Sequence, residues 1–174
     1  MYPAQTAPAT PTRQVVVIGV GNQLRHDDGV GPTVIRMLQR RSLPHVTLAI
    51  ADDEPDQLVE LWSGGDPVIV IAAVQNGSSC PGTLRQIIVD RPAAEDDAWS
   101  STPGLGTNPV VEQALARGPM PRRLVVFAVD GADFSAGPGL TAAVAAAVDR
   151  LLRCVLSEIE RAGSHPPSPL GTSR

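Results

Sequence analysis

The chain has 174 residues, of which 43% are hydrophobic and 3% aromatic, and a formal net charge of −4 from 14 basic and 18 acidic side chains. That length suits one domain with a substantial core, whereas the acidic balance, the absence of a basic run and the scarcity of aromatics exclude nucleic acid and anionic membranes as expected partners. Two cysteines far apart, Cys80 and Cys154, exclude a disulfide framework or zinc knuckle, and with no signal-peptide core and no apolar run of bilayer length a soluble, cytoplasmic protein is expected.

Residues 1–13, rich in Pro, Ala and Thr, read as a disordered arm. VVVIGV (15–20) is a continuous β-branched run, as expected of a strand buried on both faces. From about Gly29 to Arg40 the residues Val30, Val34, Ile35 and Leu38 recur at helical spacing. VTLAIA (46–51) predicts a second strand, and PDQLVELW (55–62) a short helix with Pro55 in its first turn. PVIVIAAV (67–74) predicts a third strand, followed by a breaker-rich loop at 75–83. LRQIIV (84–89) alternates and suits an edge strand; residues 90–107 read as a long loop. Thr107 or Asn108 can cap a helix over Pro109–Ala116. RLVVFAVD (123–130) predicts another buried strand, and the Ala- and Val-rich run from Leu140 to about Ile159 a helix packed on a sheet. The remainder, 162–174, reads as a disordered tail, leaving one domain over 14–161.

The order β-α-β-α-β-β-α-β-α predicts a three-layer α/β/α domain with a mainly parallel five-stranded sheet and one antiparallel edge strand. In such sheets functional residues gather beyond the carboxyl ends of the strands. Here those ends are Gly21–Asp28, Asp52–Glu54, Ala72–Gln75 and Asp130–Asp133.

The stretch GVGNQLRHDDGVG (19–31) admits three readings. As a dinucleotide site it fails at Leu24, where the fingerprint needs its third glycine, and Asp27 and Asp28 would repel phosphate at the helix end. As a structural element, one aspartate caps the helix, adding roughly 1 kcal/mol; Asp27 is assigned that role, which leaves Asp28 facing the cleft, with the exchange of the two roles as the alternative.

The third reading is a resemblance. Gly19–Gly31 resembles the opening motif of the hydrogenase maturation proteases, endopeptidases that trim the C-terminal extension from the large subunit of nickel-iron hydrogenases. ADDEPDQLVELW (51–62), VIVIAAVQNGSSCPGTLR (68–85), STPGLG (101–106) and RRLVVFAVDGADFSAGPGLTAAV (122–144) resemble the family's later motifs in the same order. The resemblance implies a phosphorylase/hydrolase-like fold, with a hydrogenase large subunit or its C-terminal extension as partner.

It also implies three ligands that hold a metal or read nickel supplied by the substrate. The first lands on Asp28, the second on Ala72 and the third on Pro103. Alanine and proline offer no side-chain donor, so these two positions are degenerate. Nickel suits converging imidazole and carboxylate donors, and His26, Asp52 and Asp53 are the possible substitutes, with Glu54, Asp130 and Asp133 at neighbouring strand ends. No G-x-S-x-G elbow offers a serine nucleophile, and Cys80 has no evident base. Two functions follow: a peptidase of this family using an altered site, or an inactive member serving as a binding or assembly factor for hydrogenase maturation.

Overall fold

A computed structural model of the chain describes residues 14–63, 67–75, 80–90 and 108–164. The expected N-terminal arm, the loop at 91–107 with Pro103, and residues 165–174 of the expected tail lie outside the described residues. The elements follow in the order β1 (Val15–Val20), α1 (Val30–Gln39), β2 (Val46–Ala51), α2 (Pro55–Trp62), β3 (Val68–Val74), β4 (Leu84–Asp90), α3 (Pro109–Arg117), β5 (Arg123–Asp130) and α4 (Ala142–Ser164). A 3₁₀ turn, His26–Gly29, precedes α1.

The sheet order is β2-β1-β3-β5-β4, parallel throughout except for β4, which runs antiparallel to β5 at one edge. β1 and β3 are buried at every position, as their unbroken apolar runs require. Successive side chains alternate between two cores. Val15, Val17, Ile69, Ile71, Val125 and Phe127 meet α1 and α4. Val16, Ile18, Val68, Val70, Val126 and Ala72 meet α2 and α3. Each fully buried Val, Ile or Leu contributes roughly 1.5–3 kcal/mol, so the two layers together hold the sheet.

The chain steps outward from β1 to β2 and then back across β1 to β3. Right-handed crossovers in opposite directions put α1 and α2 on opposite faces. The direction changes between β1 and β3, the place where sheets of this kind put their crevice, beyond the carboxyl ends of the strands. The 3₁₀ turn that follows β1 packs against β3 there.

Gly19 and Gly31, where an added Cβ would strike backbone of the other element, let α1 start against the sheet. A Cβ on Gly31 would lie 2.6 Å from the Ile71 carbonyl oxygen, 2.7 Å from that of Val20 and 2.8 Å from the Val20 nitrogen. All three are backbone atoms, so no side chain can swing aside. Gly31→Ala is therefore expected to cost about 2 kcal/mol by overpacking and to lower Tm by about 5 °C, measured by thermal unfolding. An unchanged Tm would mean that α1 can slide outward freely.

Helix α4 runs to Ser164, past Ile159 and past the expected domain limit at 161. Gly163 lies inside its last turn. The apolar spacing continues through Val155, Ile159 and Ala162, however, and the buried Ala162 anchors the last turn, outweighing the roughly 1 kcal/mol a helical glycine costs.

Candidate functional site

β1 ends in a turn at Gly21, whose φ of +131° suits glycine alone. Any Cβ there would also overlap the Asp28 carbonyl oxygen. The turn is closed by Asp28, whose carboxylate accepts the Asn22 N–H at 2.9 Å. Asn22 in turn accepts the Leu24 N–H at 2.8 Å through its side chain. Asp28 thus lies folded beneath the glycine turn with 4% of its surface exposed. The placement is tighter than the expected cleft-facing carboxylate, because the turn needs an acceptor inside it.

Burial pushes the Asp28 carboxyl above its ordinary value of 3.8; the Asn22 N–H opposes this, Asp53 adds to it by repulsion, and Arg25 offsets it. The folded protein therefore holds this proton more tightly than the unfolded chain. The group's contribution to stability falls as pH rises from the unfolded value through the folded one, and is flat above. Asp28→Asn keeps an oxygen for the Asn22 N–H and removes the buried charge. It is expected to raise Tm at neutral pH by a few degrees and to remove the fall in stability that Asp28 causes as pH rises through its raised value, so that the variant's acid limb is the steeper of the two in thermal melts across pH.

Asp27 does not cap α1, which has no side-chain cap, and neither has the 3₁₀ turn. It is fully buried and reaches across to the loop after β5. Its Oδ2 accepts the N–H groups of Ala132 at 2.8 Å and Asp133 at 3.1 Å. Its Oδ1 accepts the Thr141 N–H at 2.8 Å, and the Thr141 hydroxyl donates to the same carboxylate. Thr141 stands immediately before α4 and its carbonyl accepts the Ala145 N–H. Asp27 therefore supports the N-terminus of a different helix, where the macrodipole favours negative charge. Backbone bonds lace the same two loops together: Asp27 N–H to Asp133 O at 3.0 Å, His26 N–H to Gly137 O at 2.9 Å, and Gly137 N–H to Leu24 O at 2.8 Å.

The other candidate positions are dispersed. Ala72 is fully buried on the α2/α3 side of β3, paired in register with Ala128. His26, at φ 44°, donates from Nδ1 to the Gly139 carbonyl at 3.0 Å, with Nε2 4.0 Å from Asp133. It belongs to the loop clamp. Asp53 pairs with Arg25 at 3.5 Å, and the exposed Asp52 stands beside it with its N–H donated to the Gln57 side chain. Asp130 is held by Arg85 at 2.8 Å. Asp133 is bonded by the Ser135 N–H and hydroxyl, which lower its carboxyl below the ordinary range, helped by His26. Among the described residues no group of three or more His, Cys, Asp or Glu side chains could hold a metal ion. With Asp28 tied to a backbone N–H and Ala72 offering no donor, the described residues do not supply the converging donors that a resident nickel ion needs.

Sequence reading missed Thr141 and the second bond that Asn108 makes. Thr141 has no motif that marks it. Asn108 was legible as the α3 cap, and it does accept the Val110 N–H at 2.9 Å, but its Nδ2 also donates to the Ala73 carbonyl at 2.9 Å. It thereby ties α3 to the carboxyl end of β3, beside Ala72. A shallow depression of about 230 Å³ adjoins the glycine turn, lined by Leu24, Pro32, Ile50, Arg36 and Asp52. Leu24 is 67% exposed there, an apolar side chain offered to solvent at the rim of the site.

Comparison with known proteins follows the same outline. Residues 32–158 match the family model HycI, hydrogenase maturation protease. The hydrogenase 2 maturation protease of Escherichia coli (strain K12) is 24% identical over 152 residues, covering 86% of this chain and 93% of its own length. In fold, the chain resembles the hydrogenase maturating endopeptidase HybD from E. coli, with TM-score 0.66 and 22% identity over 86% of this chain and 94% of that one. It likewise resembles the crystal structure of a hydrogenase 2 maturation peptidase from Thaumarchaeota archaeon SCGC_AB-539-E09, with TM-score 0.61 and 24% identity over 85% and 99%.

Proposed function

This chain belongs to the hydrogenase maturation protease family, and on that premise we propose that it acts on the large subunit of a nickel-iron hydrogenase, trimming its C-terminal extension once nickel is in place. The observation that carries this reading is Asp28: an acidic side chain, nearly buried, at the crevice between β1 and β3. On this reading nickel enters as part of the substrate, since Ala72 brings no donor to the second ligand position that the resemblance implies. A bound cation beside Asp28 would offset its burial and the repulsion of Asp53, favouring the ionised carboxylate. The depression at Leu24 and Arg36 offers the arriving segment an apolar contact and a positive charge.

A second reading is favoured by Ala72, which puts a methyl group where the family's second ligand is implied. On that reading the protein docks on the large subunit as an assembly factor and leaves the extension uncut. One experiment separates the two. The protein is incubated with nickel-loaded large subunit that carries its extension, and intact mass is followed beside complex formation. Loss of the extension is the expected result. A stable complex with unchanged mass gives the second reading, and neither complex nor cleavage overturns both.

A further inference from the structure

The far side of the molecule carries a groove that the maturation site does not use. It lies between α4 and the edge strand β4, is about 260 Å³ in volume, and is lined by Gln86, Arg150, Arg153, Cys154, Glu158 and Arg161. Its deepest group, Glu158, is almost fully buried and already neutralised, 3.2 Å from Arg123 and 3.6 Å from Arg161. Arg123 opens β5 at the amino end of the parallel strands, so the groove reaches the end of the sheet opposite Asp28.

Arg150 and Arg153 are one helical turn apart and exposed on the rim. Among the described residues they make no ion pair or hydrogen bond, and with Asp149 as the nearest acidic neighbour on the helix they leave a net positive rim on a protein whose net charge is −4. Alongside them, β4 is bonded to β5 on one side and, among the described residues, to no strand on the other. Gln86 and Ile88, opposite Phe127 and Val125, share the α4 face of that strand, and Ile88 is 46% exposed. An open strand edge offers backbone donors and acceptors that an extended polypeptide satisfies and a nucleic acid does not. Alternate side chains of an added strand would project over α4, where the free arginines select for carboxylates.

We propose that the β4 edge and the Arg150–Arg153 rim form a second docking surface, which takes an extended segment of a partner protein with acidic residues at alternate positions. This surface is independent of any cleavage at Asp28.

The test uses the full chain and a short synthetic peptide alternating glutamate with valine. Cys154 in the groove wall is half-buried and Cys80 is exposed elsewhere, so the alkylation rate of each cysteine, read by mass spectrometry, gives signal and internal control in one sample. The glutamate peptide is expected to slow Cys154 alkylation several-fold at low salt, to leave Cys80 unchanged, and to shift the backbone amides of residues 84–90 in NMR spectra. A lysine–valine peptide should do neither. Arg150→Glu combined with Arg153→Glu, both on the exposed helix flank, should abolish the protection without changing Tm. Unaltered Cys154 reactivity, or amide shifts away from β4, would overturn the proposal. So would equal protection by single-stranded DNA with β4 amides unmoved, which would show a site for polyanions in general.

Discussion

Asp27→Ala is expected to lower stability by about 3–5 kcal/mol, the range found when a buried ionic group is removed from its partners. The carboxylate is fully buried and receives the N–H groups of Ala132, Asp133 and Thr141 as well as the Thr141 hydroxyl. Alanine leaves these donors without an acceptor, and each buried unsatisfied group costs roughly 1–3 kcal/mol. Some relief comes from water entering the space, so the total falls below the simple sum. Urea unfolding followed by circular dichroism measures the loss directly, and Tm should drop by roughly 10 °C. Asp27→Asn retains one acceptor and should lose less. Thr141→Val removes only the hydroxyl and should cost about 1 kcal/mol. Hydrogen exchange should accelerate at Ala132, Asp133 and Thr141 before it does so in β1 or β3. A loss below about 1 kcal/mol for Asp27→Ala would show that the two loops hold together without the carboxylate.

That carboxylate also marks the limit of what sequence could reveal. The strands at 15–20, 68–74 and 123–130 were legible because a strand buried on both faces must be apolar at every position. The edge strand was legible because only one of its faces is covered, which leaves the alternation of LRQIIV. Asp28 was marked by a motif that the turn geometry explains: glycine at positive φ, then an acceptor for the turn's own N–H. Asp27 was read as a cap for the helix next to it, since capping is a local rule. Its actual partners lie 105 to 114 positions away, and no spacing within residues 19–31 carries that information. His26 was read as a spare ligand for the same reason. Its ring is engaged by a carbonyl 113 residues further on. Local chemistry drew attention to Asp27, Asp28 and His26, while the long-range fold decided which groups each of them meets.

Nickel should stabilise the protein strongly once positions 72 and 103, the two that the family resemblance implies as ligands, carry donor side chains. Ala72→Asp places a carboxyl at a fully buried position among apolar neighbours of the α2/α3 core. Without metal this variant should lose about 3–5 kcal/mol, since a buried charge without a counter-ion is strongly destabilising. Pro103→His supplies the imidazole implied by the family resemblance. With Asp28 unchanged, the double variant then presents two carboxylates and an imidazole, a donor set that nickel suits. Metal binding only the folded state adds about 2.7 kcal/mol at a hundredfold excess over Kd, so most of the apo deficit should be recovered. The measurement is thermal unfolding of untagged protein with and without nickel, supported by equilibrium dialysis. The unmodified chain should show a far smaller shift under the same conditions, because Asp28 is its sole remaining donor of the three. A double variant blind to nickel would mean that positions 72 and 103 do not converge on Asp28. The recognition of nickel would then have to be carried wholly by the large subunit, and Asp28 would serve the turn after β1 alone.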